Sequence, residues 1–401
     1  MPNEKLDYPY LDNVKADHRL LGGIALMNPF MDHVSSQRGM MLSNHIPQAQ
    51  CLKGCEPPRV FSGYESQIGE YEITTSKRDQ DIYVVAVIPK FVINTGAHPL
   101  MYNPSCTVIY TGMDDGKIGC FELSKYTMLM EDFGYTNKLM NQNLLEPGML
   151  IPKEKKLSTS PSHKGSRYCM GTNLHCAYMS LPHVTEDAFI ISESAAKKLT
   201  TEGYRTISID IHRDQIPINL YGNGEEYRIF PDIGEEVNED GIICALRRPT
   251  PDSIIFDMNK ENLCNVYPLH DTVFYAPKGA RIVDVEVHIN RKCKFSKSLE
   301  PMFEQVEKYR SQISNYYTKI LDQYQEIKSF GTELTPEFNS LVYRAISELA
   351  IDGVRAKGVP SKSAAIPVKK KEPIEFIHIT LTYQYTRRPG IGFKLAGRYG
   401  N

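Results

Sequence analysis

The sequence predicts a mixed, β-rich α+β protein, and three observations carry that expectation. Short β-branched and aromatic runs separated by glycine-containing turns recur between residues 58 and 122 and again between 205 and 295. Residues 299–330 instead repeat apolar side chains at three- and four-residue steps. A last alternating strand, Ile374 to Tyr385, then runs into a glycine-rich loop that carries Arg387, Arg388, Lys394 and Arg398.

In chain order, residues 1–34 lack a clear period and read as an arm. The stretch Ser35 to Ala49 is methionine-rich and is closed by Pro47. It is either a core helix with Arg38 and Gln48 at its wet ends, or the polar rim of a ligand channel. Tyr71 to Thr75, Ile82 to Ile88, Thr107 to Tyr110 and Ile118 to Leu123 are β-rich, and Met113-Asp114-Asp115-Gly116 supplies a hairpin turn. Lys153 to Ser166 reads as an exposed loop. Glu186 and Asp187 precede an apolar run, where paired acids are either a solvated cap or carboxylates that orient a metal-bound phosphate or a nearby catalytic lysine. The alternation of Val283, Val285, Val287 and Ile289 with Asp284, Glu286 and His288 marks a half-buried strand.

The apolar seam Leu299, Met302, Val306, Tyr309, Ile313, Tyr316, Ile320, Tyr324 and Ile327 spans about four heptads. Thr335-Pro336-Glu337 gives an N-cap, a first-turn proline and an acid at the start of a second helix near 336–351. Together they form a helical hairpin over 299–351, either a packing element or an arm that docks a partner. Arg355 to Pro373 is a basic linker.

The 401 residues carry 46 basic and 48 acidic side chains, a net charge of −2, so no global basic signature marks a nucleic-acid binder. Any such contact must come from local patches or from a channel completed by partners. No apolar run reaches the roughly 18–20 residues of a membrane span, and the first eight residues lack signal-peptide order. A cytosolic protein is expected. Of nine cysteines, only Cys51 and Cys55 are close in sequence. Cys169, His175 and Cys176 form the one arguable second half of a zinc site, and reduced structural thiols are the default reading.

The closing segment Lys394-Leu395-Ala396-Gly397-Arg398-Tyr399-Gly400-Asn401 suits a polyphosphate, because small residues let amides approach an anion that the cations neutralise. Alone, such a loop is more often a simple surface turn.

Several segments, in order, resemble the C-terminal half of the β subunit of multisubunit DNA-dependent RNA polymerase. Arg38 to Ala49 is similar to the family's N-R-A-L-M-G-A-N-M-Q-R-Q-A, Ser62-Gly63-Tyr64-Glu65 to T-G-M-E, and Leu123 to Thr127 to L-T-K-Y-T. Gly171 to Met179 with Glu186-Asp187-Ala188 resembles G-Q-N-M-R-V-A-F-M followed by F-E-D-S, and Lys394 to Asn401 resembles K-M-A-G-R-H-G-N. Asp240-Gly241-Ile242 and Ile282 to Val285 fit the intervening blocks. Departures stand beside these matches. The arginine that follows T-G-M-E and contacts the incoming nucleotide is Ser66 here, the last motif's histidine is Tyr399, and an upstream lysine falls at Thr386 or Arg387.

The resemblance implies a double-psi β-barrel of the β-subunit type with an inserted flap or wall domain that carries the helical hairpin. It divides the chain into an arm (1–34), a first barrel and hybrid-binding part (35–204), the flap or wall (205–373) and a returning barrel strand with its loop (374–401). It implies a nucleotidyltransferase that is inactive as an isolated chain, with Mg2+ held mainly by a β′-like subunit, since no D-x-D-G-D pattern occurs here. Lys394, with Arg387 or Arg388, would contact phosphates near the RNA 3′ end. Glu186 and Asp187 would lie near a second Mg2+ without binding it tightly, and Arg38, Gln48 and Arg398 would contact nucleic acid. The implied partners are an N-terminal β-like subunit, β′-like subunits, template DNA, the RNA transcript and nucleoside triphosphates. A promoter-specificity subunit is left open. The chain begins about 35 residues before the first of these motifs and ends in the last, which fits the split β subunits of jumbo bacteriophages. The implied location is the cytoplasm of an infected bacterial host, a phage-made compartment or the virion. Two rivals stand beside this reading: a non-catalytic β-barrel scaffold, and a free-standing phosphate-ester enzyme using Glu186, Asp187 and His175.

Overall fold

A computed structural model describes residues 21–28, 30–66, 73–77, 79–90, 93–95, 98–100, 106–130, 132–139, 145–165, 167–184, 188–212, 214–223, 225–249, 262–289, 297, 299–351 and 376–395. The chain folds as two compact units. One comprises residues 1–72, 161–200 and 388–401, the other residues 73–160 and 201–387. This grouping follows compactness and is a different division from the four segments expected above.

The discontinuous unit is poor in regular structure. It holds the short helices α1 (Gly23–Leu26), α2 (Ser36–His45) and α3 (Glu193–Lys198). Helix α2 buries Leu42, which joins Met27 and Ile46 in a small core flanked by Tyr168 and Met170. A second small cluster gathers Leu52, Cys55, Cys169 and Leu199. Ser192 caps α3 by accepting from the Ala195 amide at 3.1 Å.

The larger unit is built from antiparallel strands: β1 (Ile73–Thr75), β2 (Ile82–Pro89), β3 (Cys106–Gly112), β4 (Ile118–Leu123), β5 (Tyr126–Met130), β6 (Phe133–Thr136), β7 (Leu150–Ile151), β8 (Lys156–Thr159), β9 (Thr201–His212), β10 (Ile242–Arg247), β11 (Asp271–Tyr275), β12 (Arg281–Ile289) and β13 (Phe376–Arg387). A four-stranded sheet has the order β7-β2-β3-β4. The expected turn between β3 and β4 is present, with Gly116 at φ +63°, a conformation that favours a residue without a Cβ. Strand β10 pairs with β11 and with Ile216–Pro217, β8 with β1 and Lys138–Leu139, and β5 with β6.

The longest pairing is β9-β13-β12. Strand β13 lies in the middle, in continuous register with β9 from Thr201↔Arg387 to His212↔Phe376. Its other neighbour, β12, is interrupted by an irregularity between Ile282 and Asp284. The extra residue, Val283, overrides simple alternation, so Ile282, Val283, Asp284 and Val285 are all buried in succession. On one face Ile209, Ile211, Ile377, Ile379, Leu381, Val285 and Val287 form the largest core with Phe230, Phe303, Val306 and Tyr309.

The helical periodicity is realised as α4 (Glu300–Ser329) and α5 (Pro336–Ile351). At 30 residues, α4 is about 45 Å long. Its first half seals the β9-β13-β12 core, whereas Tyr316, Tyr317, Ile320, Leu321 and Ile327 pack with α5 and with Ile88, Ile109 and Ile118 of the four-stranded sheet. One helix thus ties two cores of the larger unit together. The structure is mixed α+β with several small antiparallel sheets, and among the described residues none closes into a barrel.

Candidate nucleic-acid interface

Of the sequence-derived candidates, Arg38, Gln48, Arg388 and Lys394 fall in the discontinuous unit and are exposed. Glu186, Asp187 and Arg398 lie outside the described residues. Helix α2 turns Leu42 and Gly39 inward and leaves Arg38, Met40 and Met41 facing out. Arg38 Nη1 lies 3.9 Å from Met41 Sδ, and Gln48 ends the 3-10 turn Ile46–Gln48 whose buried member is Ile46. The inner face of this segment is core, and its polar residues Arg38 and Gln48 are accessible.

Arg387 ends β13 in the larger unit. Its guanidinium lies 5.5 Å from the centre of the Phe133 ring and donates to the Asp132 carbonyl at 3.4 Å. It is half-buried and partly engaged, whereas Arg388 and Lys394 are exposed. Beyond it, Ile391, Phe393 and Lys394 are exposed around a turn in which Gly392 adopts φ +87°.

The segment that matches T-G-M-E forms a self-closed turn. Glu65, only 3% exposed, accepts from the Ser62 amide at 2.8 Å, the Ser62 hydroxyl at 3.1 Å and the Gly63 amide at 2.9 Å. Gly63 at φ +94° is the residue that lets two successive amides face one carboxylate. The short strand Arg167–Tyr168 packs against the turn Tyr64–Ser66. The Arg167 guanidinium lies 4.6 Å over the Phe61 ring. The stretch expected as an exposed loop over 153–166 is instead largely internal: Lys156–Thr159 pairs with Ile73–Thr75, and Leu157, Ser158, Thr159, Ser160, Ser162 and His163 are buried, because backbone pairing draws its small polar side chains inward. Sequence pattern passes over Arg167, which follows this stretch and precedes the Gly171 motif. The one available signal is a cation set between the two.

The Gly171 motif is tethered to this region by Glu56. The Glu56 amide donates to the Gly171 carbonyl at 2.6 Å, and the Asn173 amide donates to Glu56 Oε2 at 3.0 Å. That bond, opposed by some desolvation and aided by the Thr172 and Asn173 side chains and Lys198, lowers the Glu56 carboxyl to about 2. From Leu174 to His183 the residues are exposed, with Tyr178 at 80% and Met179 at 63%, and Phe189 and Ile190 are exposed beyond them.

The cysteines are engaged singly. Cys51 Sγ is 3.0 Å from Ser162 Oγ, Cys55 donates to the Leu52 carbonyl at 3.5 Å, and Cys176 is exposed. Among the described residues no three His, Cys, Asp or Glu side chains converge as a metal site. No helix of the described residues is long and apolar enough to cross a membrane.

In the larger unit, Lys90, Thr107, Glu122, Ser124, Tyr316 and Arg344 line a pocket of about 70 Å³. Lys90 pairs with Glu286 at 3.0 Å and Asp284 at 3.6 Å. Burial disfavours its charge, but the two carboxylates outweigh burial and raise its pKa. The Asp284 carboxyl is raised by its own burial. This cluster joins β12 to the segment after β2 and is explained by internal pairing.

No family model matches the sequence. The chain is 25% identical over 250 residues to the DNA-directed RNA polymerase subunit beta of Thermosipho melanesiensis, covering 60% of this chain and 20% of that protein. It is 26% identical over 238 residues to the same subunit of Solidesulfovibrio magneticus, covering 58% and 16%, and 23% identical over 248 residues to that of Streptomyces avermitilis, covering 61% and 19%. The chain spans a fifth or less of the length of these curated relatives. These partial similarities support a region of RNA polymerase β-subunit type.

Proposed function

We propose that this chain is a β-like subunit portion of a multisubunit DNA-directed RNA polymerase, of the split kind found in jumbo bacteriophages. The observation that carries the reading is the similarity to polymerase β subunits over about three-fifths of the chain. It is supported by the motif series from Arg38 to Asn401, of which Arg38 to Ala49, Ser62 to Glu65, Gly171 to Met179 and Lys394 fall in the discontinuous unit, and Leu123 to Thr127, Asp240 to Ile242 and Ile282 to Val285 in the larger one. A double-psi β-barrel completed with other polypeptides belongs to this reading.

In this role the chain contributes electrostatic positioning. Lys394 holds phosphates near the RNA 3′ end with help from Arg387 or Arg388, while Arg38, Gln48 and Arg398 line the path of the RNA–DNA hybrid. Magnesium, held mainly by an acidic cluster on a β′-like subunit, supplies charge stabilisation at the attacking and leaving oxygens. Glu186 and Asp187 orient groups near the second ion.

The test is reconstitution with the subunits that co-purify with this chain. Lys394→Ala should slow nucleotide addition about 10- to 100-fold, the range for losing one charge-assisted phosphate contact, without releasing subunits. Unchanged elongation would remove Lys394 from the site. For Asp187→Ala a raised magnesium requirement is expected, and an unaltered magnesium titration counts against its role. Co-purifying subunits that lack an aspartate triad would favour the scaffold reading.

A further inference from the structure

Resting on the polymerase reading, we propose that Arg167 supplies the cation that the turn Ser62–Ser66 lacks, and that it contacts a phosphate of the incoming nucleoside triphosphate. Where the related motif continues with arginine, this chain has Ser66. The turn itself is kept, closed on the buried Glu65 carboxylate. A guanidinium nevertheless stands beside it, because the strand Arg167–Tyr168 packs against Tyr64–Ser66 and stacks Arg167 4.6 Å over Phe61.

Three features fit this cation to a phosphate. Arg167 is exposed, and no carboxylate among the described residues lies within ion-pairing distance of it. Stacking on Phe61 restrains a long side chain while leaving the edge of its planar fork open for bidentate donation. Glu65, the acid of the turn, spends its oxygens on the Ser62 and Gly63 amides and is turned inward. A surface arginine held by an aromatic ring and not neutralised is pre-organised for an anionic ligand.

The experiment measures single-nucleotide addition by the reconstituted complex on a primed RNA–DNA scaffold, with each of the four nucleoside triphosphates. Arg167→Ala is expected to raise KM for the nucleotide about tenfold, the loss of one charge-assisted contact, with kcat changed less than about twofold. Arg167→Lys should recover part of the loss, and Ser66→Arg placed in the Arg167→Ala chain should recover most of it. A purely structural arginine would not be rescued by a cation on the neighbouring turn. A KM that stays at the wild-type value in Arg167→Ala, or a rise that neither Arg167→Lys nor Ser66→Arg reverses, overturns the proposal. A wild-type complex that makes no RNA overturns the polymerase reading itself, whereas a working complex indifferent to Arg167 overturns only this assignment.

Discussion

Arg247 and Asp271 form a bidentate ion pair across β10 and β11, with both nitrogen–oxygen distances at 2.8 Å and side chains 2% and 0% exposed. Arg247 also donates to the Asn262 and Asn265 carbonyls, and Asp271 accepts from the Tyr267 amide, so the pair organises residues 262–267 ahead of β11. Removing one member leaves the other charge buried and several polar groups without partners. Asp271→Asn is therefore expected to destabilise the larger unit by about 3–5 kcal/mol. Urea denaturation of the purified chain followed by circular dichroism tests this, and a loss under about 1 kcal/mol would mean the pair is replaceable by water.

Phe338 is fully buried where α5 meets α4, edge-on to Tyr324 at 6.5 Å. Its truncation leaves a cavity bounded by two helices and a sheet that cannot collapse together. Phe338→Ala should cost about 3–5 kcal/mol. Hydrogen exchange should show the loss concentrated in residues 300–351. Uniform loss across the β9-β13-β12 sheet instead would mean the two cores that share α4 unfold as one.

The Glu56 carboxylate offers a local pH reading. Its folded pKa, about 2, lies below the ordinary value of 4.5. The sign follows: the tether to Asn173 contributes at pH above the unfolded value and weakens as pH falls through the folded one. Contacts between residues 56–57 and 171–173 should thus persist at pH 3.5 and weaken near pH 2. A carboxyl-carbon NMR titration of Glu56 with a midpoint near 4.5 would contradict this.

Thiol reactivity should divide sharply by environment. Burial pushes Cys244 and Cys120 up to about 12 and Cys106 to about 11, with Glu122 and Glu337 adding to the effect at Cys120. Cys176 and Cys264 are exposed. Because the thiolate is the reacting species, iodoacetamide at pH 8 should modify Cys176 and Cys264 before Cys106, Cys120 and Cys244, and reach Cys244 only on unfolding. Mass spectrometry of the labelled peptides reads the order, and early labelling of Cys244 would show that the β10 core opens readily.

What was legible in the sequence is what local chemistry encodes. The three- and four-residue steps from Leu299 to Ile327 correspond to a helix over Glu300–Ser329, and Thr335-Pro336-Glu337 marks the start of the next at Pro336. The turn at Asp114–Gly116 and the strand near residues 376–387 were likewise readable. Position was not. Nothing local states that Phe376–Arg387 sits between partners more than 80 residues away in sequence, or that Val283 breaks the alternation of its strand. At the candidate interface, the motifs identified Arg38, Gln48, Arg388 and Lys394, whose exposure is now defined. Arg167 escaped because its meaning lies in Phe61 and the turn at Tyr64–Ser66, about a hundred residues earlier.

The placement of Phe376–Arg387 between two earlier strands has a consequence for biosynthesis. As the ribosome releases this polypeptide, Thr201–His212 and Arg281–Ile289 emerge first, each presenting apolar side chains and unpaired amides on the edge that will receive the missing middle. The largest core can be sealed only after the final dozen of these residues have left the exit tunnel, so until then the nascent chain exposes two sticky edges. Such a polypeptide would gain most from a chaperone or an assembling partner during that interval.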